Sequence, residues 1–308
     1  MTTVTVRAPA KINLGLRVAR SRDRDGYHPL ATVYSAIGLY DEVKARPVDD
    51  GSFSVTVTGE GDDVVPLDST NLAVQAAALL AKRFEVDEGV ALSIHKSIAV
   101  AGGLAGGSAD AAGALVACDA LWGTNASRED LLALARELGS DVPFCLVGGL
   151  AVGTGRGEQL SPVLARGSYE WVLAYADTGL STAQVYAEFD RLTVTTASGE
   201  PAEQAPPEVP EQLMAALRSG DPYAVGTALH NDLEAPALRL RPALRHTLAL
   251  GEEVNALGSI LSGSGPTCLF LASDPDHAVD IAVALAGSGT CRLVQRAPGP
   301  VHGARLVT

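Results

Sequence analysis

Between residues 98 and 109 the chain reads IAVAGGLAGGSA and runs straight into DAAGALVACDALW. Gly102, Gly103, Gly106 and Gly107 fall within six positions, directly ahead of an alanine-rich stretch of helical character. Glycine weakens helix and strand interiors by about 0.5–1 kcal/mol relative to alanine, so such a cluster needs a local reason. One reason is a backbone that curls around an anion and aims several N–H groups and a helix start at it. The other is a tight turn between two packed elements. The loop is not GxxxxGK[ST], because no lysine follows Gly107, and it lacks the glycine spacing of GxGxxG. A second glycine run, SGSG at 262–265, is not a GxSxG nucleophile elbow, which argues against a hydrolase.

Three more places carry chemistry-capable side chains. Asp141 stands between Gly139 and Val142-Pro143, on a constrained turn, where a carboxylate can serve as a base or cap a helix. Lys11, in PAKIN, is one of only four lysines (with Lys44, Lys82 and Lys96); a surface lysine at a strand end is the alternative. Tyr27 and His28, in DGYH, offer an aromatic face and a ring nitrogen suited to a planar base, although such a pair in a loop more often packs than binds.

Alternation predicts strands at TVTVRA (3–8), FSVTVTG (53–59) and VALSIHKSI (90–98), with a helix over 71–84 capped by Ser69 or Thr70. Asn71 could equally be that cap. The glycine loop leads into a helix over about 108–122. Ser127 opens the next helix, with Asp130 in capping-box position and Gly139 as its stop. Residues 171–179 read as a buried strand, 259–273 as strand, glycine turn, strand, 277–287 as a helix and 291–297 as a closing strand. The Pro-, Glu- and Ala-rich segment 195–212 reads as an exposed, mobile connection. Mixed helices and strands that alternate as in a sheet covered on one face predict α+β layers, with a boundary between two halves near 150–165.

The 308 residues suffice for one large domain or two ordinary ones. A net charge of −13 argues against nucleic acid and anionic membrane as partners, while leaving room for a small anion in a local cradle. Asp110 and Asp119 interrupt the most apolar stretch, so no bilayer span is expected, and MTTVTVRAPAK lacks the features of a signal peptide. Cytoplasmic location is the expectation. Cys118, Cys145, Cys268 and Cys291 are scattered without CxxC pairing, which fits reduced structural thiols.

GGLAGGSADAA resembles the second motif of the GHMP kinases, PAKINLGLRV (9–18) their N-terminal motif and LSGSGPTCLF (261–270) their C-terminal glycine motif. DGYHPLATVY, LGSDVPFCLVGG, TGRGE (154–158) and NDLEAPAL (231–238) are similar to the branch of that family whose acceptor is a cytidine-diphosphate-linked methylerythritol of non-mevalonate isoprenoid synthesis. The resemblance implies a two-domain α+β fold, a ribosomal protein S5 domain 2-like N-terminal domain (1–155, binding ATP) and a ferredoxin-like C-terminal domain (156–308), with the active site in the cleft between them. It implies ATP-dependent phosphorylation of the acceptor's 2-hydroxyl by a monomer or weak homodimer.

By the same resemblance, Asp141 takes the hydroxyl proton and Lys11 neutralises charge beside it. The ATP phosphates would lie along Ala99, Val100, Ala101, Gly102, Gly103, Leu104, Ala105, Gly106, Gly107, Ser108 and Ala109, with Asn71 and Lys96 near adenosine. Tyr27 would stack on cytosine, His28 hydrogen-bond it and Tyr186 add a second aromatic. Asn13 and Thr182 would contact the acceptor, and Gly263, Ser264 and Gly265 would wall in its phosphates. Magnesium is expected with the nucleotide, without dedicated protein ligands. This chain has Ala99 where the family loop usually opens with proline, which loosens the loop's start, and 193–210 matches nothing in the family. Two readings stay open beside this one. A GHMP kinase for homoserine or a mevalonate-type alcohol would have no use for the DGYH loop, and a silent binding protein would not need both Lys11 and Asp141.

Overall fold

The computed structural model describes residues 3–194 and 206–307. The first half comprises β1 (Val4–Val18), β2 (Leu30–Val48), β3 (Phe53–Gly59), α1 (Leu72–Phe84) and β4 (Gly89–Lys96). It continues through α2 (Gly106–Trp122), α3 (Arg128–Leu138), α4 (Val142–Val147), β5 (Leu150–Thr154) and β6 (Gln159–Pro162). The second half opens with β7 (Tyr169–Tyr175), α5 (Thr182–Val194), α6 (Glu211–Ser219), α7 (Pro222–Ala228), β8 (His230–Asn231) and α8 (Glu234–Leu240). It closes with α9 (Leu244–Glu253), β9 (Gly258–Leu261), β10 (Cys268–Ala272), α10 (Pro275–Ser288), β11 (Leu293–Gly299) and β12 (Arg305–Leu306). Among the described residues, no helix is long and apolar enough to cross a membrane.

The first sheet runs β12-β1-β2-β4-β3, with β5 and β6 continuing from β2 and β8 beside β1. The second is antiparallel with order β11-β7-β10-β9. With helices between its first and second strands and between its third and fourth, it has the ferredoxin-like β-α-β-β-α-β connectivity. The β5–β6 hairpin belongs to the first sheet although it straddles residue 155. The change of sheet falls between Pro162 and Tyr169.

The expected strand at 3–8 extends to Val18, and β2 was not marked by alternation at all. Both are buried on both faces over long stretches, Ala8 to Leu16 without interruption, so neither is covered on one face only as expected. Helix α2 covers one side of β1 and β2. The core there is continuous with Trp171, Leu173 and Tyr175 of β7, while Val172 and Ala174 on the opposite face of β7 join the core under α5, α8 and α10. The second sheet is thus buried on both sides.

Helix α2 is small-residue-rich because it is enclosed: a methyl at Gly113 would lie 2.8 Å from Val43 Cγ2. Its start is Gly106, two residues earlier than expected, so Gly106 and Gly107 form its first turn. Asn71, not Ser69 or Thr70, caps α1, its side chain accepting from Ala73 N at 2.9 Å. The capping box of Ser127 and Asp130 forms as predicted. Of the segment 195–212, residues 195–205 lie outside the described residues; 206–210 have no regular structure and α6 begins at Glu211. The cysteines are free, and burial pushes the thiols of Cys118, Cys145 and Cys268 up, which keeps them protonated.

Candidate active site

The glycine loop joins β4 to α2 and bends through left-handed backbone at Ala101, Gly103 and Ala105. Gly103 is required by close approach as well as by its φ of +80°. A Cβ there would lie 2.3 Å from the carbonyl oxygen of Ser262 in the second glycine motif. The Ser262 hydroxyl donates to Gly103 O at 3.0 Å, and Lys11 N donates to Leu104 O at 3.1 Å. The three motifs therefore meet as one cluster. At the start of α2 the N–H groups of Gly106, Gly107 and Ser108 have no carbonyl a turn back to bond, which leaves a ready anion cradle. Ala109 donates its N–H to Ala105 O, and it and Leu104 are fully buried. These two support the loop from inside.

Lys11 and Asn13 project from β1 beside Tyr34 of β2, which is paired with Asn13. The Lys11 ammonium lies 3.6 Å from Asp141 Oδ2 and donates to Asn13 Oδ1 at 2.8 Å. Asn13 in turn donates to Thr32 Oγ1 at 2.8 Å. Asp141 occupies the N-cap position of α4 yet makes no capping hydrogen bond. Its other oxygen accepts from the Tyr34 hydroxyl at 3.1 Å. The cap reading of Asp141 thus gives way to a carboxylate held between an ammonium and a phenol, with its side chain 29% exposed to the cleft. Burial first, and then the Asp141 charge, hold the Tyr34 hydroxyl well above its ordinary pKa, so it remains a donor. Gly157 makes room for it: a methyl there would lie 2.2 Å from that oxygen.

Lys11, Asn13, Tyr34 and Asp141 line a cavity of about 280 Å³ together with Gly103, Tyr186, Gly263 and Ser264. Gly263 has a φ of +56°, and a Cβ on it would crowd Asn13 Oδ1 at 3.2 Å and touch Lys11 Nζ at 3.5 Å. Thr182 and Ser264 share a hydrogen bond of 2.9 Å across the cleft from α5 to the glycine motif. Burial, then Asp141, push the Tyr186 hydroxyl up to about 12. Asn231, from the NDLE motif, donates to the carbonyls of Leu261 and Gly263 at 2.9 and 2.7 Å and holds that loop in place.

Tyr27 is exposed (55%) at the cleft's outer end, with the Arg156 guanidinium 3.8 Å from its ring centre. His28 is not presented to the cleft as expected. It is buried, stacked on Tyr186 and edge-on to Phe189, and its Nδ1 shares a 2.8 Å hydrogen bond with Ala19 O. Its Nε2 lies 2.9 Å from an Asp190 oxygen.

Asn71 takes the helix-cap alternative, and Lys96 is engaged away from the cleft. The Asn71 amide is spent on capping α1 and on Pro66 O. The Lys96 ammonium is buried between Asp41 of β2 and Asp110 of α2, 2.6 Å from Asp110. Asp41 also accepts the N–H groups of Ser97 and Ile98 at 2.6 and 2.9 Å, so this cluster anchors the start of the glycine loop from beneath. Burial opposes the charge of Lys96, but Asp110 and Asp41 outweigh it and keep its pKa raised. Two carboxylates share one ammonium, and burial pushes the Asp110 carboxyl far up.

An acid whose folded pKa is raised binds more protons folded than unfolded. Its contribution to stability is present below the usual carboxylate range and is lost as pH rises toward about 8. Asp110→Asn removes that titration. Its melting temperature relative to wild type should therefore improve between pH 5 and pH 8, as read by thermal unfolding; a pH-independent difference would show that Asp110 does not hold the proton.

On the other side of the loop lies a groove of about 610 Å³, bounded by Gly59–Gly61, Val100–Gly102, Asp177–Gly179 and Pro266. Sequence reasoning missed Tyr34, Asp41, Asp110 and Arg156 as parts of this region. Tyr34 closes DGYHPLATVY, Asp110 lies in GGLAGGSADAA and Arg156 in TGRGE, while Asp41 stands in none of the noted motifs.

Residues 71–149 match the GHMP kinases N terminal domain and residues 213–291 the GHMP kinases C terminal domain. The chain belongs to the GHMP kinases. Within that family it is 53% identical to the 4-diphosphocytidyl-2-C-methyl-D-erythritol kinase of Leifsonia xyli subsp. xyli, over 100% of both chains. It is 53% identical to that of Thermobifida fusca over 99% of each. A crystal structure of 4-(cytidine 5'-diphospho)-2C-methyl-D-erythritol kinase superposes with a TM-score of 0.75 at 34% identity, covering 96% of this chain and 99% of that one. The homoserine kinase of Cytophaga hutchinsonii, with a TM-score of 0.77 at 19% identity over 100% and 98% of the chains, shares the fold.

Proposed function

We propose that this chain transfers the γ-phosphoryl group of ATP to the 2-hydroxyl of 4-diphosphocytidyl-2-C-methyl-D-erythritol, releasing ADP and the 2-phosphate. The observation that carries the reading is the Asp141–Lys11 pair, 3.6 Å apart, on the wall of a cavity that Gly103 also lines. Phosphoryl transfer asks for an aligned nucleophile, a base for its proton and charge neutralisation on the transferred group. The acceptor hydroxyl meets Asp141, which takes its proton as the oxygen attacks phosphorus. Lys11 faces both the carboxylate and the incoming phosphoryl group. The loop N–H groups and the start of α2 hold the β- and γ-phosphates, and the 610 Å³ groove receives the adenosine. Magnesium enters as part of the MgATP substrate. In this reading the enzyme works as a monomer or weak homodimer in the cytoplasm, where small phosphorylated metabolites and MgATP are at hand.

The test is ADP release from MgATP with the cytidylyl acceptor, run beside homoserine and mevalonate. Turnover confined to the cytidylyl compound supports the reading, and turnover with another alcohol overturns the substrate. Tyr27 stacks on the cytosine in this reading. Tyr27→Ala should raise KM for the acceptor by about 10-fold or more, as lost base stacking does, and leave KM for ATP nearly unchanged. A rise in KM for ATP instead would put the Tyr27 loop in the wrong part of the cleft.

A further inference from the structure

Between the Tyr27 loop and the Lys11–Asp141 pair stands one cationic side chain, Arg156. It lines both the 280 Å³ cavity and an adjoining groove of about 590 Å³ that runs past Tyr27 and Ser140. Its position is built. The Arg156 N–H donates to the Glu158 carboxylate at 2.7 Å, and a Cβ on Gly155 would lie 2.6 Å from that carboxylate. The guanidinium lies over the Tyr27 ring, with Nη2 at 2.6 Å from Asp25 and 3.7 Å from Asp23. Asp23 fixes the same loop by accepting from the N–H groups of Asp25 and Tyr27.

We propose that Arg156 binds the diphosphate that links the acceptor's nucleoside to its alcohol, exchanging part of its ion pair with Asp25 for phosphoryl oxygens. The proposal rests on the acceptor assigned above. With the base at Tyr27 and the hydroxyl at Asp141, the link must cross the region that Arg156 borders on both sides. That link is a dianion entering a protein of net charge −13, past Asp23, Asp25 and Asp141. Lys11 and Arg156 are the two cations lining the cavity, and Lys11 is already engaged by Asn13 and Asp141. Arg136 borders only the outer groove. The ion pairs of the guanidinium with Asp23 and Asp25 both run through Nη2, and a planar guanidinium presents five donors in a fork that matches phosphate.

A purely structural Arg156 would only pin the Tyr27 loop, and competition with CDP and cytidine separates the two roles. Wild type should bind CDP more tightly than cytidine. Arg156→Gln should lose about 10-fold or more in affinity for CDP and raise KM for the acceptor in step, as removal of a charge-assisted phosphate contact does. Cytidine binding and KM for ATP should hardly change. Arg156→Lys should recover part of the CDP affinity, since lysine keeps the charge and loses the fork. Asp25→Asn, which frees the guanidinium, should leave CDP binding intact or tighten it. Equal losses of cytidine and CDP in Arg156→Gln, unchanged CDP binding, or no CDP preference in wild type would each overturn the proposal. Absence of turnover by wild type strikes the acceptor assignment instead, while CDP binding still decides the role of Arg156.

Discussion

Asp141→Asn is expected to bind MgATP as wild type does and to turn over at least about 100-fold more slowly, the usual penalty for losing a general base. The substitution is nearly isosteric. The amide oxygen can still accept from Tyr34, and α4 loses nothing because Asp141 makes no capping bond. What disappears is the ability to take a proton and the negative charge 3.6 Å from the Lys11 ammonium. Steady-state kinetics with both substrates, with a nucleotide-binding titration, checks the split between kcat and KM. A melting temperature lowered by a lost cap, with kcat near wild type, would return Asp141 to the helix-cap role that its place in the chain also allows. That outcome would leave the cavity without a base and would strike the proposed chemistry at its centre.

Why the sequence reveals Asp141 but not its partner Tyr34 is a matter of range. Asp141 sits between a helix-stopping glycine and Val-Pro, a local arrangement that a chain displays one residue after another. Tyr34 lies within β2, where both faces are buried for much of the strand, so alternation is lost and an aromatic reads as core. Its hydroxyl acquires a role only through Asp141, 107 residues away. The glycine loop is legible because four glycines in six positions stand out along the chain, although only Gly103 combines positive φ with close backbone approach, and Ala101 and Ala105 take left-handed backbone without glycine. Its helix start was misjudged by two residues because glycine inside a first turn looks like loop. His28 shows the opposite error. The resemblance of DGYH puts both side chains on a base, but His28 is buried against Tyr186 and Phe189, which arrive on α5, so its ring takes the packing alternative.

Lys96 gives the second large effect, and it separates the sequence expectation from the structure. Were Lys96 an adenosine contact, Lys96→Met would raise KM for ATP and leave stability alone. The structure instead places its ammonium between Asp41 and Asp110 in the core, where the carboxylates are 0% and 5% exposed. Removing the one cation from such a cluster leaves uncompensated buried charge and costs about 3–5 kcal/mol. For a chain of this size that lowers Tm by roughly 10 °C at pH 8. The sign with pH follows from the same cluster. Without Lys96, both carboxyls are pushed upward in the folded state, so the protein can recover stability by protonating them, and the deficit should shrink at pH 5. Melting curves of wild type and Lys96→Met at pH 5 and pH 8 decide it, and an unchanged Tm at pH 8 would refute a structural role for Lys96. Because Asp41 also holds the N–H groups of Ser97 and Ile98, the defect should reach the phosphate cradle, so any loss of ATP affinity should accompany the loss of stability and ease with it at low pH. A ligand contact would show no such linkage.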